Sequence, residues 1–246
     1  MAERSLNAVP RPVLAMLVLT LAVQIFWGLR APQPQANAQA LPAVPSYETV
    51  AVASFAEIIP ASQLLALYLQ AFDNQPGISI PFRDLDYKAV THWLERMLEL
   101  DPKAQYPLLM ATHLYAQVPD ANKQRQMLDF AYRQFFAAPN QRWSWLAHAA
   151  IVAKHQLHDL PLALKYAQAI AKYATGTEVP HWAQQMPIFI LEDMGETESA
   201  KILLGGLLAN NTLTDSHEII FLTERLNALE THFVENSSPP LRKQHF

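Results

Sequence analysis

The chain has 246 residues, a formal net charge of −4 and no cysteine. The missing thiols exclude disulfides, thiolate metal sites, c-type haem attachment, cysteine nucleophiles and a lipidated-cysteine anchor. No basic stripe of the kind that tracks a phosphate backbone is present, so nucleic acid is not an expected partner.

In chain order, a short tail at 1–12 leads into VLAMLVLTLAVQIFWGL at 13–29. These 17 residues carry no charge, and only Thr20 and Gln24 are polar. As a helix they span roughly 26 Å at ~1.5 Å per residue, close to the apolar thickness of a bilayer. Pro12 suits the first turn, and Trp27 is a membrane-belt aromatic. The segment therefore reads as an uncleaved transmembrane helix. Its rival is a cleaved signal peptide, with small-x-small sites at Ala36-Asn37-Ala38 and Ala38-Gln39-Ala40. Arg4 and Arg11 precede the span and Arg30 alone follows closely, which favours a cytoplasmic N-terminus and an extracytoplasmic remainder, periplasmic in a bacterium. The sequons Asn210-Asn211-Thr212 and Asn236-Ser237-Ser238 matter only in a eukaryotic secretory compartment.

Residues 30–46 form a linker. Its portion 31–46, APQPQANAQALPAVPS, holds four prolines and no charge. That composition predicts a polyproline-prone spacer, holding the domain off the membrane at up to ~3.1 Å per residue. From Tyr47 to residue 233 helical periodicity alternates with short Pro, Asp, Asn or Gly breaks. ISIPF at 78–82 reads as a loop, and 234–246 as a flexible tail.

The helical part repeats. In DYKAVTHWLERMLELDP, Tyr87, Val90, Leu94, Met97 and Leu98 share one face and Asp101-Pro102 ends the helix. Comparable segments run from Met127 to Pro139, from Ala163 to Gly176 and from Ala200 to Asn211. The matching positions Val90, Met127, Ala163 and Ala200 lie 37, 36 and 37 residues apart. Each segment follows another predicted helix, at 62–73, 104–117, 142–156 and 181–194. One such hairpin cannot bury both of its faces, so neighbours must stack and share a core. Residues 214–233 offer a terminal cover: Thr214, Asp215 or Ser216 at the N-cap, Glu218 as capping-box partner, and Ile219, Phe221, Leu222, Leu226 and Leu229 as the apolar face. The expected fold class is all-α, about four helical hairpins with a C-terminal capping helix, preceded by one transmembrane helix.

The pattern over roughly 60–211 resembles the tetratricopeptide repeat family. Asp86-Tyr87, Leu94, Met97-Leu98 and Leu100-Asp101-Pro102 follow its second-helix pattern, with Val90 in place of the usual small residue. Gly195, Ala200, Leu204 and Leu207 follow it again, and Ala111, Ala149 and Ala163 stand where that family packs helices closely. The period here is about three residues longer, and no unit carries the full motif. The resemblance implies an α-solenoid whose first helices line a concave groove. Projected onto this chain, the groove comprises Tyr106, Leu109, His113 and Gln117, then Trp143, Leu146, Ala150 and Lys154, then Trp182, Gln185, Phe189 and Glu192. The aromatics Tyr106, Trp143 and Trp182 recur at 37 and 39 residues. They suit peptide anchors, or else they pack on the preceding helix and stiffen the stack. Lys154 is the one cation among these positions, which argues against a carboxylate clamp and for an apolar or amphipathic ligand segment.

No catalytic constellation is legible. His155, His158 and Asp159 in HQLHD could share a metal, but they fall at a predicted interhelical turn. Asp215-Ser216-His217-Glu218 reads as a cap, because consecutive helical residues diverge. Glu192-Asp193 has no identifiable partner. Gly205-Gly206 sits inside a helical pattern, where close packing against the capping helix is the expected reason and a kink the alternative. The expectation is a non-enzymatic, cofactor-free and metal-free membrane-anchored scaffold that binds protein partners in envelope assembly, maturation or a chaperone-like role. The alternative is a structural accessory subunit of a larger membrane complex, with Thr20 and Gln24 facing a partner helix.

Overall fold

A computed structural model describes residues 10–30, 38–209 and 215–237. Arg4, the 31–37 part of the linker, Asn210–Thr214 and everything beyond residue 237 lie outside the described residues, as do the expectations placed on them; residues 234–237, expected as the start of a flexible tail, belong to the last helix.

The described chain is all-helical apart from one two-residue ladder. Helix α1 (Arg11–Arg30) buries none of its side chains and is apolar and long enough to cross a membrane. The hydroxyl of Thr20 bonds back to the Leu17 carbonyl at 3.0 Å, so this polar group is satisfied within its own helix. After it come α2 (Tyr47–Ala53) and α3 (Ile58–Ala71), joined by a turn in which Phe55 and Ala56 take φ of +53° and +67°. ISIPF is not wholly loop. Strands β1 (Asn74–Gln75) and β2 (Ile78–Ser79) pair antiparallel across Pro76-Gly77, and Gly77 supplies the positive φ of +79°. Proline followed by glycine pre-sets that turn.

The rest is a train of helices: α4 (Tyr87–Leu100), α5 (Tyr106–Leu109), α6 (Ala121–Phe135), α7 (Pro139–His155), α8 (Leu160–Tyr173), α9 (His181–Asp193), α10 (Thr197–Ala209) and α11 (Ser216–Ser237). The single helix expected over 104–117 is broken. After Leu109 the backbone loosens into a π turn at Met110–Leu114 and tightens into a 3₁₀ turn at Tyr115–Gln117. Three of the four second helices start on aspartate caps. Asp86 accepts from the Lys88 amide, Asp120 from Asn122 and Lys123, and Asp159 from Leu162, each satisfying an otherwise orphaned donor. Helix α9 ends at Gly195, φ +78°, where the Glu196 amide reaches back to the Leu191 carbonyl at 2.9 Å.

Each helix packs chiefly on its neighbours in sequence. The positions matched by spacing, Val90, Met127, Ala163 and Ala200, are all 0% exposed, one in each of α4, α6, α8 and α10. Side-chain bonds and ring contacts sort the helices into two sets. The π and 3₁₀ turns after α5, then α7 and α9, touch in succession through His113–His148, Gln117–Gln156 and Trp143–Trp182, and α9 touches α11 through Glu192–Arg225. Helices α4, α6 and α8 do the same through Glu95–Arg133, Tyr132–Tyr166 and Phe136–Tyr173. Buried Arg142 ties the sets together. Its guanidinium donates to the Gln134 carbonyl at 2.5 Å and to the Pro102 carbonyl at 2.7 Å, closing the ends of α6 and α4.

Three expectations need correction here. The described part of the spacer does not stand free. Leu41 and Val44 pack on the core, the Trp93 indole N–H donates to the Pro42 carbonyl at 2.9 Å, and Gln39 exchanges two bonds with Gln75. The face of α11 is Leu222, Leu226 and Leu229, whose spacing forms one stripe; Phe221 lies off it and is exposed, and Ile219 is marginally so. Gly205 and Gly206 have open space where a Cβ would stand, so close approach of another helix does not explain them, and α10 runs through both without interruption.

Candidate functional site

The expected groove residues lie on α5 and its π and 3₁₀ continuation, α7 and α9. Tyr106 is exposed beside Pro107, which occupies the first turn of α5, and its hydroxyl accepts from Gln70 of α3. Leu109 is half-buried one turn on. His113 sits in the π turn, where Thr112 Oγ1 meets its Nδ1 at 2.9 Å. Its ring stacks on His148 of α7 at 3.6 Å and meets Trp145 edge-on at 5.6 Å. Burial disfavours the cation on both rings and pushes both histidines below the usual range; for His148 the neighbouring His113 adds to the effect.

Gln117 belongs to a relay of amides. Gln124 donates to Gln156 at 2.8 Å, and Gln156 donates to Gln117 at 2.7 Å. Trp145, which has no place in the sequence projection, donates its indole N–H to Gln105 at 2.7 Å. Trp143 is half-buried and meets Trp182 edge-to-face at 5.4 Å, while Trp182 is itself 52% exposed. Phe189 is half-buried on α9. Lys154 pairs with Asp193, and the Glu192 carboxylate is clamped by the Arg225 guanidinium, which raises the arginine further above its ordinary value.

Three projected residues do not reach this surface. Leu146 and Ala150 are buried in the core, and Gln185 is buried beneath α11, donating to Glu218. Helix α7 spreads polar and apolar residues around all its sides, so the face turned to its neighbours could not be phased from the sequence. Glu218 bonds across to α9, while Asp215 caps α11 through the His217 amide at 2.9 Å. Residues missed by the sequence reading are Gln105, Trp145, His148 and Gln156. The signal that could have found them is their own recurrence: Gln105–Trp145 and Gln117–Gln156 are separated by 40 and 39 residues, about one repeat.

The HQLHD segment is structural in its described contacts. His158 takes φ +50° at the α7–α8 turn, and Asp159 caps α8 while pairing with Arg125 at 2.6 Å. Those bonds hold the Asp159 carboxyl below its ordinary value, the Leu162 amide first. Among the described residues no three His, Asp or Glu side chains gather closely enough to hold a metal ion.

No protein-family profile matches the chain, and no curated protein or solved structure matches it either.

Proposed function

We propose that this protein is a membrane-anchored interaction scaffold: α1 is a transmembrane helix, and the remaining helices form a tetratricopeptide-like solenoid that binds protein partners without chemistry of its own. The N-terminus is cytoplasmic and the repeat domain extracytoplasmic. The observation that carries the reading is the sequence separation of the bonds between helices. Gln105–Trp145, Gln117–Gln156, Lys154–Asp193 and Glu95–Arg133 link residues 40, 39, 39 and 38 apart, as stacking of equivalent units requires. Along the surface of α5, α7 and α9, Tyr106, Trp143, Trp182 and Phe189 are the rigid anchors for a partner segment.

The test is affinity recovery of the membrane-extracted full chain with mass spectrometry, comparing the natural chain with Trp143→Ala/Trp182→Ala. Specific partners should be lost from the double variant while its thermal unfolding remains cooperative. Undiminished recovery would remove the groove reading. A second reading, an accessory subunit of a larger complex, is favoured by the open apolar surface at the carboxyl-terminal end, where Ile202, Leu203, Ile220 and Phe221 are exposed. It requires one stoichiometric complex to survive the tryptophan substitutions.

A further inference from the structure

Helix α3 stands apart from α4 and from α6 to α11, all of which carry charged residues. No charged residue occurs between Glu57 and Asp73. One side of α3 packs on α4 through Ala66 and Leu69, and the opposite side, Gln63 apart, is also apolar but open to solvent. On that side Leu64 is 65% and Leu67 59% exposed, flanked by Ile59 and Tyr68. A helix apolar all round is ordinarily covered on all sides, by protein or by lipid. At the turn leading into it, Phe55 is 92% exposed at a positive φ, a conformation that disfavours a bulky residue. Glycine or asparagine would relieve that position, so an aromatic held outward there signals a use for the side chain.

The tether says what covers this face. The chain is pinned to the domain from Gln39 onward, through Gln75 and through Trp93 with Pro42. Only residues 31–38 separate that docked segment from the end of α1 at Arg30. Nine Cα steps reach at most about 32 Å fully extended. The docked segment enters beside the β1–β2 turn, directly after α3. The part of the domain closest in chain to the membrane is thus the part with the uncharged outer face.

We propose that the outer side of α3 and the Phe55 turn lie in the interfacial zone of the same bilayer that α1 spans; this rests on the anchor reading of α1. The occupant is a lipid surface rather than a protein groove. With no lysine or arginine on this face, the contact is driven by apolar burial and is indifferent to anionic lipid and to salt.

The chain lacks cysteine, so single labels are unambiguous. Phe55→Cys, Leu64→Cys, Leu21→Cys and Asp129→Cys are each labelled with an environment-sensitive fluorophore in the full chain. Each is reconstituted in phosphatidylcholine vesicles, with helical content matched to the unlabelled protein. Labels at 55 and 64 should be quenched several-fold more by shallow brominated lipid than the label at 129, equally in low and high salt. A label at 64 that aqueous iodide quenches as strongly as the one at 129 overturns the inference. So does a label at 64 shielded from both quenchers, because that means a protein occupant, either a second copy or α1 folded back. The Leu21 label reads the anchor separately. Quenching by deep brominated lipid at 21 beside a water-exposed 64 overturns the inference alone, whereas escape from the deep quencher at 21 removes the anchor and the inference with it.

Discussion

Helices α3 and α4 pack on each other, yet they treat their outer sides in opposite ways. Helix α4 buries Tyr87, Val90, Leu94, Met97 and Leu98 and turns Lys88, Glu95 and Glu99 outward, the division expected of a helix between core and water. Helices α6 and α8 follow it, with Arg125, Asp129 and Arg133 on one and Lys165 and Lys172 on the other facing out. Helix α3 has no such division. The middle of the chain is therefore complete against water as it stands, whereas its amino-terminal end is complete only against something apolar. Amphipathicity, more than helix content, separates α4, α6 and α8 from α3.

The sharpest way to break that contrast is to shorten equivalent side chains on the two helices. Leu94→Ala, at a fully buried site, should lower unfolding stability by about 3 kcal/mol in a urea titration, and Leu64→Ala on the open face by under about 0.5 kcal/mol. Equal losses in lipid-free solution would mean that α3 is covered by protein. Next in size is Arg142→Met. It leaves the Gln134 and Pro102 carbonyls without their donor and should cost about 2–3 kcal/mol in the same titration, because the lost bonds are charge-assisted and buried.

A smaller effect runs with pH. His113 and His148 bind protons less readily in the folded chain than the unfolded reference near pH 6.5. Where the unfolded state binds more protons, stability rises with pH. The stacked pair's contribution is therefore complete above about pH 7 and declines as pH falls below 6.5. Denaturation midpoints across that range should show the slope, and His148→Gln should flatten it. Smallest are the paired glycines of α10. Gly205→Ala and Gly206→Ala enter open space and should each stabilise the helix by about 0.5–1 kcal/mol, raising the melting temperature of the carboxyl-terminal end without disturbing the middle.

What was legible in the sequence followed from periodicity. The spacing of Val90, Met127, Ala163 and Ala200 located four buried positions on four helices, and Asp101-Pro102 marked the end of α4 to the residue. What was not legible has specific causes. The π turn at Met110–Leu114 leaves no mark in an apolar pattern, because it adds one residue to a turn without changing residue type. Leu146, Ala150 and Gln185 were projected outward because α7 and α9 carry apolar or neutral residues on most sides, so burial there is decided by neighbours rather than by phase. Residues 38–46 read as a spacer from proline and the absence of charge alone. Their docking depends on an acceptor, the Pro42 carbonyl, and a donor on Trp93, 51 residues away. Backbone carbonyls have no signature in the side-chain alphabet.

That pinned segment moves the place where the folded unit can be cut. Hydropathy periodicity begins at Tyr47, but a fragment starting there would strip Leu41 and Val44 from the core and leave the Trp93 indole N–H without its acceptor. A fragment starting at Ala38 keeps both, together with the Gln39–Gln75 pair. Proteolytic trimming after Ala40 would remove Gln39 and with it both of its bonds to Gln75. Cleavage at that bond and docking of the segment onto the domain would therefore compete for the same few residues.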